Sequence, residues 1–357
     1  MSATPKPMLA KSQEEIPLGE GWRYEPKWDG FRTIATRTAD GGVTLASRND
    51  RPLGRYFPEI VALLETQPPA SYVLDGELVM ITEGEMNFDG LQLRLHPAAS
   101  RVNKLAAEIP ATFVPFDVLE VDGRDVRGLD TDARRDELTA LVGRLGGSPA
   151  PEGPEGLPPG PAMILTPRTD DPAVARTWFE DEAGFGQDGL VARRADSRYV
   201  EGERVMVKIK HHRTADCVVG GYRKERKGDG VGSLLLGLYD REGRLHYVGH
   251  TSAFKAKERR ELREILAPLE GGDAFGFGDW GDGARSPGGQ SRWSAGRDLE
   301  WVGLEPKLVV EVRFERLQSG RFRHSASIVR WRQDRDPESC TFEQLGAEPP
   351  SWAFEEG

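Results

Sequence analysis

Three short segments carry residue types able to do phosphoryl chemistry. Lys27-Trp28-Asp29-Gly30-Phe31-Arg32 sets a lysine at what reads as the end of a strand. A neutral lysine amine is a nucleophile, and Gly30 would let a ligand approach the backbone. Asp75-Gly76-Glu77 places two carboxylates at i and i+2, which share one face of a strand. Such a face suits a ribose hydroxyl or a divalent metal. Val207-Lys208-Ile209-Lys210 alternates with period two, so both ammonium groups face away from Val207 and Ile209. Two cations there would grip a phosphate and lower the pKa of a neighbouring lysine, which must be neutral to attack. Taken singly, the three segments also read as a turn, a hairpin and a solvated edge strand. The six histidines show no metal-ligand spacing and read as structural or exposed. Cys217 and Cys340 are too few for a disulfide framework or a cysteine-rich zinc site.

The elements that must position these residues are short. Tyr72-Val73-Leu74 and Leu78-Val79-Met80-Ile81 read as strands flanking the Asp-Gly-Glu, and 112–121, 189–192 and 205–209 read as further strands. Helical spacing covers 131–145 and 172–182. Segment 146–161 is almost entirely Gly, Pro, Ser, Ala and Glu and predicts a flexible surface insertion. Beyond Arg213 the pattern restarts with strands at 216–222, 233–239 and 244–249. Thr251 and Ser252 are placed to cap a helix over 253–266, followed by a loose stretch over 271–296 and strands at 308–317 and 327–332. Several short strands with one helix predict a small barrel, of which the oligonucleotide-binding (OB) fold is one type. The division is therefore 1–213 and 214–357.

Composition bounds the rest. A chain of 357 residues suggests two domains. With 38% hydrophobic and 30% charged residues and a mean hydropathy of −0.53, it reads as a soluble globular protein, neither disordered nor membrane-spanning. No apolar run is long enough to span a bilayer, and Met1 to Ala10 lacks the apolar core of a signal peptide, so a reducing cytoplasm is expected. The net charge is −10, with −8 up to Arg213 and −2 beyond it. A basic field over the whole molecule is excluded, which leaves a nucleic acid to be held by a local patch.

Order and spacing join the pieces. KWDGFR, Ser47-Arg48, DGE, Phe116-Asp117, DGLV from Asp188, and KIK follow one another from Lys27 to Lys210, and the expected barrel comes next. The chain resembles the covalent nucleotidyltransferase superfamily, which contains ATP-dependent DNA ligases, RNA ligases and mRNA-capping guanylyltransferases. The phrases EPKWDGFR, VLDGELV, FDVL and DGLVARR are most similar to minimal bacterial ATP-dependent DNA ligases. These include the stand-alone actinobacterial ligase C type and the ligase domain of the multifunctional end-joining ligase. The resemblance implies an α+β fold, with an adenylation domain of antiparallel sheets and flanking helices followed by an OB-fold barrel. It makes Lys27 the residue that carries AMP. It assigns the adenine edge to Glu25 and the backbone near Trp28, and the adenine face to Phe116. Arg32 and Glu77 would hold the ribose, Arg48 a phosphate, and Lys208 and Lys210 the α-phosphate. Glu77 and Asp188 would help place Mg²⁺ or Mn²⁺. Many relatives carry Glu at the position of Asp188.

The last family motif usually ends in Asp-Lys, whereas here Arg330-Trp331-Arg332-Gln333-Asp334-Arg335 puts Arg335 in that place. The resemblance assigns Arg330, Arg332 and Arg335 to pyrophosphate in a closed state, reached by the barrel swinging about a hinge near 211–215. Between Arg313 and Arg335 seven arginines face two acidic residues, Glu315 and Asp334, a local surface for a phosphate backbone. The implied activity is the sealing of 3′-hydroxyl/5′-phosphate nicks in duplex DNA through lysyl-AMP, in repair. The enzyme would act as a monomer in the cytoplasm, on nucleoid DNA, and a repair polymerase or other repair factor would deliver it. The alternatives are an RNA ligase or capping-type enzyme and, from another class, a non-catalytic nucleic-acid-binding protein with a decayed nucleotide pocket.

Overall fold

The structure, a computed structural model, describes residues 4–82, 85–149, 151, 157–180, 188–211, 213–275, 287, 300–318 and 320–346. The chain forms two compact units, Met1–His211 and His212–Gly357. The stretches expected to be loose, 146–161 and 271–296, fall partly or mostly outside the described residues, as do positions 181–182 and 212.

The first unit opens with β1 (Leu9–Gln13), β2 (Trp22–Pro26), β3 (Phe31–Arg37), β4 (Val43–Ser47), α1 (Pro58–Glu65), β5 (Tyr72–Thr82), β6 (Glu85–Met86), α2 (Phe88–Leu93) and α3 (Ala99–Glu108). It continues with β7 (Ala111–Val121), β8 (Arg124–Asp125), α4 (Thr131–Arg144), β9 (Ala162–Met163), α5 (Pro172–Glu180), β10 (Leu190–Arg194) and β11 (Arg204–Ile209). One sheet has the order β1-β11-β10-β2 and the other β4-β3-β5-β7-β8, with β6 and β9 added at its flanks. Pairing is antiparallel except for β1 with β11 and β7 with β9, which run parallel. The sheets meet face to face. Ile34, Val73 and Leu119 from one pack with Val191 and Met206 from the other. The far side of the larger sheet is covered by α1 through Ile60 and Leu64 and by α4 through Leu138 and Leu141. The far side of the smaller one is covered by α5 through Ala175 and Phe179. Asp130 caps α4 by accepting from the Ala133 amide at 2.8 Å, and Pro58 and Pro172 open α1 and α5, where a missing N–H costs nothing.

Asp75-Gly76-Glu77 lies in the middle of β5 rather than in a turn between two strands. Gly76 is required there because a Cβ would strike the Phe113 ring and the Val114 carbonyl. The irregularity falls instead on β7 and occurs twice: Val73 pairs with Glu120 but Leu74 with Val118, leaving Leu119 extra, and Asp75 pairs with Asp117 but Gly76 with Pro115, leaving Phe116 as an extra residue. Such a bulge turns two consecutive side chains to one face. Phe116 and Asp117 therefore both face the other sheet.

The second unit contains β12 (Arg213–Lys224), β13 (Val231–Tyr239), β14 (Leu245–Thr251), α6 (Ala256–Leu266), β15 (Val302–Gly303), β16 (Val309–Phe314), β17 (Leu317–Gln318), β18 (Arg321–Phe322) and β19 (Ser327–Trp331). The sheet order is β14-β13-β12-β16-β19. Its two edges are joined by a bridge between Thr251 and Ala326, whose amide donates to the His250 carbonyl at 2.9 Å. The sheet thus curls into a partly closed small barrel, as the OB fold requires. Helix α6 starts later than expected. Thr251 is occupied as the last residue of β14, and the cap is Lys255, whose amide donates to the Glu258 carboxylate at 2.8 Å. His246 is structural, with Nε2 at 2.7 Å from the buried Asp240 carboxylate, and both cysteines are buried and free.

Candidate active site

The smaller sheet aligns the cations by register. Val191 on β10 pairs with Glu25 on β2 and with Lys208 on β11. One step on, the Lys27 amide donates to the Gly189 carbonyl at 2.9 Å. Residues opposite one another on paired strands share a face. Glu25 and Lys208 therefore lie on the side facing the larger sheet, and the alternation carries Lys27 and Lys210, one residue past their strands, to that side. Val207 and Ile209 point the other way, into the cluster with Tyr24, Leu190 and Ala192, as the sequence pattern required. Gly189 is at φ +108°, and a Cβ there would strike the Ile209 carbonyl, which keeps β10 and β11 close at this point.

The larger sheet supplies the opposite wall. Arg32 on β3 is paired with Glu77 on β5, and Arg48 follows Ser47, the partner of Thr33. Arg48 is exposed. Arg32 makes a two-toothed ion pair with the buried Asp75 (Nε–Oδ1 3.0 Å, Nη2–Oδ2 2.6 Å), and the Tyr199 hydroxyl donates to the same carboxylate at 2.7 Å. The Phe116 ring lies under two guanidiniums, with Arg32 at 5.3 Å and Arg193 at 5.9 Å from its centroid.

Lys27 forms an ion pair with Asp188. Burial works against its charge, but Asp188, with Glu77 and Asp29 beyond, raises its pKa above the ordinary lysine value. The net shift is thus opposite to the depression expected from Lys208 and Lys210, because carboxylates face the ammonium. The Glu77 side chain forms no hydrogen bond or ion pair among the described residues. Burial pushes its pKa up to about 8, with Lys27 and Arg32 pulling it down and Asp29 and Asp75 pushing it up. Gly30 also has a packing reason: a Cβ there would collide with the Leu78 carbonyl.

Glu25 is not free. Its Oε2 accepts from Arg193 at 2.6 Å, and Arg193 also donates to Asp117 at 2.8 Å. Arg134 on α4 completes a buried cluster by donating to Asp117 Oδ1 through Nε at 2.8 Å. The Trp28 side chain is buried, with its indole N–H donating to Thr166 Oγ1 at 2.8 Å. Sequence reasoning passed over Arg134, Arg193 and Tyr199 because their partners are far away in the chain.

Arg330, Arg332 and Arg335 lie on the second unit, on and just after β19. Arg330 donates to Glu311 at 2.6 Å, and Arg332 donates to both oxygens of Asp216 at 2.9 and 3.0 Å and to Asp334. Arg335 approaches Asp216 at 3.6 Å. The acidic partners thus organise the guanidiniums within their own barrel.

A family model described as the ATP-dependent DNA ligase domain matches residues 7–210, which contain the whole two-sheet site. The chain belongs to the ATP-dependent DNA ligase family. The model of the ATP-dependent DNA ligase C-terminal region matches residues 227–335. This ligase is 46% identical over 355 residues to DNA ligase C2 of Mycolicibacterium smegmatis, covering 97% of this chain and 95% of that one. It is 45% identical over 347 residues to DNA ligase C of Mycobacterium tuberculosis, covering 95% and 93% of the two chains. A solved Lig E DNA ligase, described as binding DNA with a minimal scaffold, is similar with a TM-score of 0.54 at 20% identity over 92% of this chain and 99% of the other, a likeness of fold. The expected kinship with the ligase C type is therefore shown, and it places the enzyme with DNA ligases rather than with RNA-ligase or capping relatives. No helix among the described residues is long and apolar enough to cross a membrane. Nor do three or more His, Cys, Asp or Glu side chains among them gather into a metal site.

Proposed function

We propose that this ligase seals 3′-hydroxyl/5′-phosphate nicks in duplex DNA by way of AMP carried on Lys27, in the first of two domains, adenylation (1–213) and OB-fold (214–357). The supporting observation is the convergence of Lys27, Asp188 and Glu77 at the end of the face that also carries Lys208 and Lys210. ATP would enter between the sheets with its base on Phe116 and its edge toward Glu25 and the Trp28 backbone. Arg32 and Glu77 would meet the ribose, Arg48 a phosphate, and Lys208 and Lys210 the α-phosphate.

The Lys27 amine, once it has given up the proton that Asp188 now stabilises, attacks the α-phosphorus. A nitrogen–phosphorus bond forms and the bond to pyrophosphate breaks. The 5′-phosphate oxygen of the nick then takes the AMP from Lys27, and the adjacent 3′-hydroxyl attacks that phosphate and releases AMP. Each step develops charge on phosphate oxygens, which Lys208 and Lys210 would stabilise from fixed positions. Arg330, Arg332 and Arg335 are assigned to the leaving pyrophosphate.

A divalent ion suits the acidic pair. Glu77 has a carboxylate without a cation in contact, and one or two carboxylates together with substrate phosphates are the usual donors for Mg²⁺. Glu77 and Asp188 would hold Mg²⁺ or Mn²⁺, which would screen the charge on the α-phosphate. A net charge of −10 leaves DNA contact to local arginines. Unaided binding should therefore be weak, and a repair polymerase or other factor would bring the monomeric enzyme to nucleoid DNA in the cytoplasm.

The test is incubation with labelled ATP and Mn²⁺ or Mg²⁺, then with a nicked duplex, followed by denaturing electrophoresis. Label should appear first on protein and next on the DNA 5′ end, before sealed strands accumulate. Sealing with no labelled protein would defeat the lysyl-AMP route.

A further inference from the structure

A buried charged group outside the reacting atoms is Arg193. Its side chain is 3% exposed, and it joins two elements that the ligand needs. Nη2 donates to Glu25 Oε2 at 2.6 Å and Nη1 to Asp117 Oδ2 at 2.8 Å. Asp117 is fixed again through Oδ1 by Arg134 at 2.8 Å and by the Val118 amide at 2.9 Å, and Arg134 is held by the Leu129 carbonyl at 2.7 Å. Asp117 adjoins Phe116 at a bulge of β7. One guanidinium thus holds one oxygen of the Glu25 carboxylate and anchors the strand that carries the aromatic ring. It also lies 5.9 Å from the centroid of that ring.

A core has no need of such an arrangement for stability alone, because desolvation offsets much of what a buried ion pair gains and apolar packing does as well or better. Direction is what a fixed carboxylate supplies. With Oε2 taken by Arg193, Oε1 has no hydrogen-bond donor among the described residues and is left as an acceptor. An acceptor at the base edge welcomes the exocyclic amine of adenine and repels the keto oxygen that guanine carries at the same place.

We propose that Arg193 is a positioning residue for base choice, orienting Glu25 toward the adenine amine and holding Phe116 in register with it. This rests on the reading that ATP lies between Phe116 and Glu25.

The experiment measures kcat/KM for self-adenylation by the full chain with ATP, with GTP and with purine riboside triphosphate, which lacks the exocyclic amine. Wild-type protein should favour ATP over the purine analogue by about 10- to 100-fold, the range for a hydrogen bond to a charged group. Arg193→Lys keeps the charge but cannot bridge two carboxylates. It should use ATP and the analogue almost equally, with the analogue's own rate within about threefold of wild type. Asp117→Asn loosens the far anchor and should lower the preference part-way, which keeps the inference exposed if Arg193→Lys does not fold. Melting curves identify the folded variants. An equal loss on ATP and the analogue in a folded variant overturns the inference and leaves Arg193 a core ion pair. A preference that persists in full does the same. If wild-type protein shows no preference, or forms no adduct, the placement of the base itself is wrong.

Discussion

At the scale of single residues, Lys27 is bound by opposing demands. As the proposed nucleophile it would have to be neutral to attack a phosphate, yet Asp188 and Glu77 favour its protonated form. Lys27→Ala should abolish both the AMP adduct and the sealing of an unadenylated nick, and intact mass after ATP and Mn²⁺ is the measurement. The fold should survive, since the side chain ends among polar groups. An adduct formed at the wild-type rate would remove Lys27 from the role. Lys208→Ala and Lys210→Ala each delete one fixed charge from the same sheet face. Loss of one such oxyanion donor costs about 2.7–4 kcal/mol, so adenylation should fall about 10²- to 10³-fold in either variant. Single-turnover labelling would show this, and an unchanged rate would place that lysine outside the site.

At the scale of elements, the buried cluster of Glu25, Asp117, Arg134 and Arg193 ties β2, β7, α4 and β10 together. Arg134→Met removes one of the two guanidiniums on Asp117 and leaves Arg193 to hold the carboxylate, so the cost should stay at or below the low end of the roughly 3–5 kcal/mol for a wholly broken buried pair. The urea midpoint of the first unit should fall accordingly, whereas a shift within error would show that the cluster relaxes freely. This cluster was illegible in the sequence. Glu25 and Arg193 are 168 positions apart, and no local pattern links them. The strands themselves were legible, because period-two alternation records which face is buried, as Val207 and Ile209 show. The Asp-Gly-Glu segment looked like a break because Asp and Gly are uncommon in strands. It is continuous because its side chains face a polar site while its backbone stays paired on both sides. The start of α6 was misplaced for a related reason. Thr251 is a favoured cap by type, but the β14 ladder claims its backbone first.

At the scale of the whole molecule, the proposed function would divide the labour between the two units by reaction step. Arg332 and Arg335, gathered by Asp216, are assigned to pyrophosphate, which takes part only in the first step. Replacing both with Ala should cripple adenylation of Lys27 by ATP, while sealing of a nick that already carries 5′-AMP should survive much better. Both assays belong at one salt concentration, because contacts to a phosphate backbone weaken steeply as salt rises. Equal losses would reassign these arginines to DNA contact or to support of the barrel.

The bulge at Phe116 makes the first unit sensitive to chain length in a way that its composition hides. With Phe116 as the extra residue, the strand is out of phase on its two sides, and the side chains before and after it reach their proper faces only because of that offset. Exchange of Phe116 for another residue leaves the offset intact. Removal of the residue takes out that offset, leaves the site without a ring, and swings Pro115 and its neighbours to the wrong side or pulls their pairing out of step, while the second offset, at Leu119, remains. In a library scored for cooperative melting, position 116 should therefore accept several side chains and reject deletion and insertion alike, while adenylation should still demand a ring there, so that folding depends on the count of residues and binding on their kind.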